Sequence, residues 1–355
     1  MSLIYDTAVI GLRRALEADE GKDVSYVIYP FGERGALVKG ILNALYHVQE
    51  IGVADNHLCH EYENIMSLDE VSSLMRKSGG VKVLFTVDHN GHYEEVRKAL
   101  LDKVDRNRYF EVFSWGARNE AVATRRLEEE PNEDFVFQLS GKKSVFYLPD
   151  CRADMVQAGM YASQNYFDAD QLHETFEAFA SGAIAEHSAG KTFLDIGANI
   201  GSHTMYFLNE LQAGNVYSFE PMQHNFEILQ RNVALNHADD RVKLFHCGLG
   251  NMKGKCGSRE FSYNWGASEL VKEQAGDINV MRLDDIDIQE TVYFIKIDVQ
   301  GMEMDVLRGG EKLLDRDHPY LVVEAVGDAY LPVVQFLQAK GYSSKKITRW
   351  DYLFY

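Results

Sequence analysis

Residues 193–207, FLDIGANIGSHTMYF, constrain this chain more than any other stretch. An apolar run ends near Asp195, Gly197 and Gly201 bracket a turn, and a helix starts near Ser202. That is the strand–turn–helix unit of an open α/β sheet. The glycines let the backbone bend sharply and approach a ligand with no Cβ in the way. The helix start adds unpaired N–H groups and partial positive charge. A nucleotide-like ligand is expected at this turn.

Two cofactors compete for it. A dinucleotide fingerprint is G-x-G-x-x-G, which seats a pyrophosphate on the helix end. Here the spacing is G-x-x-x-G, with Asn199 between the glycines. S-adenosylmethionine (SAM) has no phosphate but carries an ammonium and a carboxylate on its methionine end. An acid beside the turn suits the ammonium, and Asp195 supplies one. The pattern D-x-G-x-N-x-G therefore fits SAM better than NAD. The next strand, NVYSFEP, ends at Glu220, about 20 residues beyond the turn, where an acid can accept both ribose hydroxyls. Both cofactors have a ribose, so Glu220 points to a nucleoside without naming it.

A later strand reads FIKIDV and runs into QGMEMDVLRGG. Lys296 and Asp298 lie two apart and share one side of the strand. Asp298 falls at the carboxyl edge of the sheet, where open α/β folds bind ligands. Glu303 begins the next helix, where it either serves the reaction or only complements the helix dipole. Transfer of a group to an acceptor that carries a proton calls for a general base. Asp298, His203 and Glu303 are the candidates, His203 lying just inside the helix after the glycine turn. No NPPY-like tetrapeptide follows this strand, which argues against methylation of nucleobase amino groups, and no Pro-Cys nucleophile marks cytosine chemistry.

With 355 residues, 46% hydrophobic, the chain is long enough for about two domains and apolar enough to pack them. Residues 1–113 alternate strands (VSYVIYPFG, IGVADN, VKVLFTV) with helices, predicting a smaller Rossmann-like α/β domain. Gly32 and Gly35 form its turn and Asp55 is its ribose candidate. Its role stays open between holding a nucleotide-linked sugar, positioning an acceptor and supporting a homodimer. Residues 114–135 read as a charged linker or a solvated helix. Then come FVFQLSGKKSVFYLP, two strands around a turn, and the helix pattern of 168–187. The stronger alternation from 191 closes with SSKKITR and DYLFY, an antiparallel hairpin that returns to the sheet. Asp154, Gln157 and Tyr161 are spaced along one helix face, to meet a polyol or to be ordinary surface.

The formal net charge of −18 argues against gripping a phosphate backbone, so no nucleic-acid partner is expected. The four cysteines form no CxxC pair, which predicts free thiols in a reducing compartment. No metal is expected: His57, Cys59 and His60 have no second cluster, and Asp284, Asp285 and Asp287 read as a strand end that caps the next element. Neither a signal-peptide pattern nor a membrane-length apolar run is present, and the expected location is cytoplasmic.

Taken together, FLDIGANIGSHT, SFEPMQHNFEILQRNVALN, GLGN, LDDI, FIKIDVQGMEMDVLRGG and VVEAV resemble the FkbM-type methyltransferases, over residues 136–355. The resemblance implies a class I, SAM-dependent methyltransferase with a seven-stranded Rossmann-like sheet and a reversed terminal hairpin. It implies an O-methyltransferase acting on a hydroxyl, of a sugar, glycan or secondary metabolite. By position, Asp195, Gly197, Asn199 and Gly201 would line the methionine end of SAM, Glu220 the ribose, and Gly248 and Leu249 the adenine. Ser268, in NWGASEL, would also approach the cofactor. Where the family usually has DVEG, this chain has Gln300, which weakens a catalytic role there. The competing readings are an NAD-dependent oxidoreductase acting on a nucleotide sugar, and a SAM-binding protein without catalysis.

Overall fold

The computed structural model of the chain describes residues 2–48, 50–88, 92–168, 173–175, 187–259, 269–271, 276–325, 327–348 and 350–355. The chain forms two compact units. One joins Met1–Pro131 to Cys151–Ala162, the other Asn132–Asp150 to Ser163–Tyr355.

In the first unit, β1 (Ser25–Tyr29), β2 (Gly52–Ala54), β3 (Ile65–Met66), β4 (Val81–Phe85) and β5 (Tyr109–Glu111) form a parallel sheet in the order β3-β2-β1-β4-β5. Alternation along β1 sends Ile28 into one core with Leu12, Leu42 and Leu84. Val27 and Tyr29 enter a second core with Val71 and Phe85. Both faces are thereby buried, as a parallel sheet requires. The helices are α1 (Leu3–Ala18), α2 (Glu33–Leu45), α3 (Leu68–Lys77), α4 (Tyr93–Leu101) and α5 (Trp115–Glu129). Asp55 accepts the His57 and Leu58 N–H groups at 2.9 and 3.0 Å, holding the turn that contains Cys59 and His60.

Residues 114–135, read from sequence as a linker or solvated helix, hold α5, which buries Gly116, Ala117, Glu120, Ala121, Ala123 and Leu127. Small alanines make its buried stripe narrow, which is why its charges dominate the sequence. Glu120 is buried because Arg14, equally buried on α1, donates to it at 2.5 Å. The helix α6 (Met155–Ser163) starts under the Asp154 carboxylate, which accepts the Gln157 N–H at 2.9 Å. Asp154, Gln157 and Tyr161 are all buried, so none is ordinary surface. Their neighbours lie in the first unit: the Trp115 ring fills the space beside Gly159, and Arg126 donates to the Tyr161 carbonyl at 2.9 Å.

The second unit opens with an antiparallel pair, β6 (Val136–Gln138) and β7 (Val145–Tyr147). Its main sheet uses β8 (Thr192–Ile196), β9 (Asn215–Phe219), β10 (Val242–Phe245), β15 (Val292–Ile297), β16 (Tyr320–Glu324), β17 (Ser344–Lys346) and β18 (Asp351–Phe354). The order is β10-β9-β8-β15-β16-β18-β17. The first five are parallel, and β18 runs antiparallel to both β16 and β17. This is the Rossmann-like sheet of a class I methyltransferase, with the expected reversed hairpin. Its helices include α7 (Ser202–Asn209), α8 (Gln223–Leu235), α9 (Glu303–Gly309), α10 (Glu311–Asp317) and α11 (Tyr330–Ala339).

A second small sheet was not expected. It contains β11 (Gly248–Leu249), β12 (Gly254–Arg259), β13 (Glu269–Val271) and β14 (Ile278–Met281) in the order β11-β14-β12-β13. The run VKLFHCGLG is split between the two sheets, Val242–Phe245 in the main one and Gly248–Leu249 in the small one. Asp284 accepts the Leu313 and Lys312 N–H groups at 3.1 and 3.2 Å, so it caps α10. Among the described residues no group of His, Cys, Asp or Glu is arranged to hold a metal.

Candidate functional site

The site is built around the turn between β8 and α7. Gly197 has φ +80°, and a Cβ there would lie 1.8 Å from the Asp298 carbonyl oxygen. Gly201 has φ +89°, and a Cβ there would meet Leu229 at 2.6 Å. Asn199 takes φ +50°, a left-handed conformation that asparagine tolerates better than most residues. Its N–H donates to Glu220 Oε2 at 2.8 Å, while the Met222 N–H donates to Oε1 at 2.9 Å. Burial pushes the Glu220 carboxyl up to about 7, against the lowering effect of those two N–H groups. A carboxylate has about four lone-pair sites, so Glu220 keeps acceptor capacity on each oxygen.

Asp195 lies beneath the turn, its side chain fully buried. Oδ2 accepts the Thr204 hydroxyl at 2.6 Å, and Thr204 in turn meets Ser218 at 2.8 Å. These bonds tie β8 to α7 and β9. Among the described residues, no donor meets the buried Asp195 Oδ1. The Lys296 ammonium lies 3.7 Å from it. Lys296 donates to the Gly197 carbonyl at 2.7 Å and lies 3.5 Å from Asp298 Oδ2. Burial disfavours that ammonium, yet the carboxylates of Asp298, Asp195 and Glu324 hold its pKa above the ordinary value. One charge therefore organises the strand ends of β8 and β15.

Beside the turn, at the carboxyl ends of β15 and β16, a cleft is lined by Asp168, His203, Lys296, Asp298, Glu324, Trp350 and Asp351, with Thr175. The Asp298 side chain is 33% exposed, enough to face a ligand. Burial and then the Lys296 charge drive the His203 imidazole down to about 4, so it is neutral at pH 7. Burial and the neighbouring Asp351 and Asp298 raise Asp168 to about 7. Among the sequence candidates, Asp298 and His203 meet in this cleft. Asp195, Gly197, Asn199, Gly201 and Glu220 meet at the turn.

Other candidates lie elsewhere. Glu303 is buried, accepts the Gly301 N–H at 2.8 Å and is not among the residues lining the cleft. Gly248 and Leu249 are buried in β11, paired with Val280 and Met281. Ser268 falls outside the described residues. Glu324, Trp350 and Asp351 were missed by sequence reasoning. Glu324 carried a readable signal, an acid ending the apolar run YLVVE as Asp298 follows YFIKI. Trp350 and Asp351 reach the cleft only because the last hairpin inserts β18 beside β16, which no local pattern announces.

In the first unit, a cleft at the carboxyl ends of β1 and β4 is lined by Pro30, Gly32, Glu33, Arg34 and Thr86. Arg34 is paired with Asp88 at 2.8 Å.

The sheet order and the glycine turn are those of the class I methyltransferase fold. Residues 195–344 match the family model described as the methyltransferase FkbM domain. That stretch of the chain is thus similar to the FkbM methyltransferase domain. Methyltransferase sdnD of Sordaria araneosa is 27% identical over 185 residues, covering 42% of this chain and 70% of that protein. Methyltransferase 1 of Beauveria bassiana is 27% identical over 183 residues, covering 42% of this chain and 71% of its own. The crystal structure of methyltransferase FkbM from Methylobacillus flagellatus is 18% identical, with a TM-score of 0.43, covering 98% of this chain and 95% of that one. Family and fold imply SAM as the methyl donor. Among the described residues no helix is long and apolar enough to cross a membrane.

Proposed function

We propose that this chain is a SAM-dependent O-methyltransferase whose acceptor is a hydroxyl of a sugar or glycan. The observation that carries this reading is the cleft itself, where the neutral His203 and the partly exposed Asp298 flank one space beside the glycine turn. An alcohol is a weak nucleophile until its proton is taken, and a positioned base contributes on the order of 10²–10⁴-fold. Asp298 and His203 fill that role, while Glu303, turned to the Gly301 N–H, fixes the start of α9.

SAM supplies an electrophilic methyl group on a sulfonium. The residues present fit it: Asp195 Oδ1 is a buried acceptor that meets no donor among the described residues, suited to an ammonium. Glu220 retains acceptor sites for two ribose hydroxyls. Gly197, Asn199 and Gly201 keep the turn open; by family position, Gly248 and Leu249 flank the adenine and Ser268 approaches the cofactor. The cleft brings an aromatic residue, Trp350, together with the carboxyl groups of Asp168 and Asp351, a combination that suits a sugar ring. No nucleic-acid partner is assigned, given the net charge of −18. The four free thiols are in keeping with a cytoplasmic protein.

The test is transfer from methyl-labelled SAM to a panel of sugars, nucleotide sugars and glycans, with the product mapped by NMR. A methoxy signal on a ring carbon is expected. Asp298→Asn or His203→Ala should cut kcat by about 100-fold while SAM affinity stays within about two-fold. A methyl found on nitrogen or carbon would overturn the reading.

A further inference from the structure

Gln300 occupies the turn after β15 with φ +52°. Its Nε2 donates to Asp298 Oδ1 at 2.7 Å and to Glu324 Oε2 at 2.8 Å. A side-chain amide has two N–H hydrogens, so each carboxyl takes one. The two acids stand side by side at the ends of neighbouring strands, held by one bracket. Like charges so close cannot both persist without cost, and such a pair titrates as a unit.

We infer that Gln300 and Glu324 are positioning residues of the methyl-transfer site: Gln300 brackets Glu324 against Asp298 so that the pair holds one proton, leaving Asp298 as the ionised member presented to the acceptor. The inference rests on Asp298 being the base proposed above.

The charged surroundings favour this division. Lys296 on β15 lies 3.5 Å from Asp298 Oδ2, and no comparable cation sits as near Glu324 among the described ion pairs. Among the described residues, the other titratable and charged groups around the pair are Asp195 on β8, His203 on α7, Glu303 on α9, Asp351 on β18, and Asp168. Burial works to raise Asp298, but Lys296 and the hydrogen bonds from Glu324 and Gln300 hold it below the ordinary carboxylate range. Burial and the Asp298 charge raise Glu324 to about 9. With the Lys296 ammonium 3.5 Å from Asp298 Oδ2, the negative charge is placed on Asp298 and the proton on Glu324. During transfer the acceptor O–H proton goes to Asp298, the acceptor oxygen bonds to the methyl carbon, and the C–S bond breaks to give a neutral thioether.

Two measurements on the full chain test this. First, ¹³C NMR of side-chain carboxyls labelled in Asp and Glu needs no acceptor. One glutamate signal, absent in Glu324→Gln, should titrate near pH 9 and fall by at least about two units in Asp298→Asn. A Glu324 that titrates in the ordinary range overturns the proposal. Second, Gln300→Glu sets a third carboxylate against the pair. The acid limb of the methyl-transfer rate should move up by about one pH unit or more, and kcat should fall by about ten-fold or more, with KM for SAM unchanged. Gln300→Leu, which breaks the bracket without adding charge, should lower kcat without moving the limb upward. A Gln300→Glu variant that loses thermal stability but keeps the wild-type pH profile makes the residue merely structural and overturns the proposal. If the wild type moves no methyl group to any hydroxyl, the O-methyltransferase reading falls, and the carboxyl titration still decides the pair.

Discussion

Gly197 carries two demands at one position. Its φ of +80° is costly for any side chain, and the Asp298 carbonyl occupies the place of a Cβ. Gly197→Ala should cost about 1–3 kcal/mol in strain alone and displace the strand end that presents Asp298. A lowered melting temperature together with lost SAM binding in calorimetry is the expected result. Glu220 gives a prediction of another kind, read in pH. With its carboxyl raised to about 7, it is protonated below that pH and ionised above it. Only the ionised form accepts from both ribose hydroxyls, so SAM affinity should rise between pH 6 and pH 8 and be flat in Glu220→Gln. A flat wild-type profile would move the ribose elsewhere. Residues such as Gly197, Glu220 and Asp298 were legible because each is a polar or glycine exception closing an apolar run. Gln300 was not, since its meaning depends on Glu324 of the neighbouring strand. The resemblance even pointed away from it, by noting the lost carboxylate.

Among the elements, α8 does more than cover the sheet. Asn232, fully buried within it, donates to the Ile200 carbonyl at 2.8 Å and accepts the Tyr147 N–H at 2.7 Å. Asn236, one turn on, both donates to the Val145 carbonyl and accepts its N–H, at 2.7 and 3.0 Å. The helix thus pins the glycine turn on one side and the β6–β7 pair on the other. Asn232→Ala leaves two backbone groups without partners and should cost about 2–4 kcal/mol. Hydrogen exchange at the Tyr147 amide should accelerate in the variant, and an unchanged rate would show that the pair is held by other contacts. The strands and helices of the main sheet were readable from apolar runs and glycine punctuation. The small sheet was not: β11 has two residues, and β12 reads GKCGSR, with no alternation to betray a strand.

At the scale of the whole molecule, the two units are not two consecutive stretches of chain. The polypeptide leaves the first unit at Pro131, returns to it at Cys151 and leaves again after Ala162. A fragment beginning at residue 132 therefore keeps α6 without the Trp115 ring and the Arg126 side chain that meet it. Such a fragment should bind a hydrophobic dye and self-associate more than the full chain. A monomeric fragment that binds no dye would mean that α6 finds adequate cover without α5. This interleaving was hidden from the sequence, because AGMYA and its neighbours look like any short helix. The boundary lies in which unit a helix packs on, not in its composition.

Chain order also sets an order of birth. During synthesis the strands β6 and β7 leave the ribosome well before α8, and Asn232 and Asn236 trail their partners by 85 and 91 positions. The first unit can close as soon as α6 has emerged, since domains generally fold as units from the N-terminal side. From then until α8 emerges, the nascent chain carries a finished first unit and a strand pair whose fastening asparagines do not yet exist. Slowing elongation between residues 163 and 236 lengthens that interval, which makes codon choice in this window a determinant of yield.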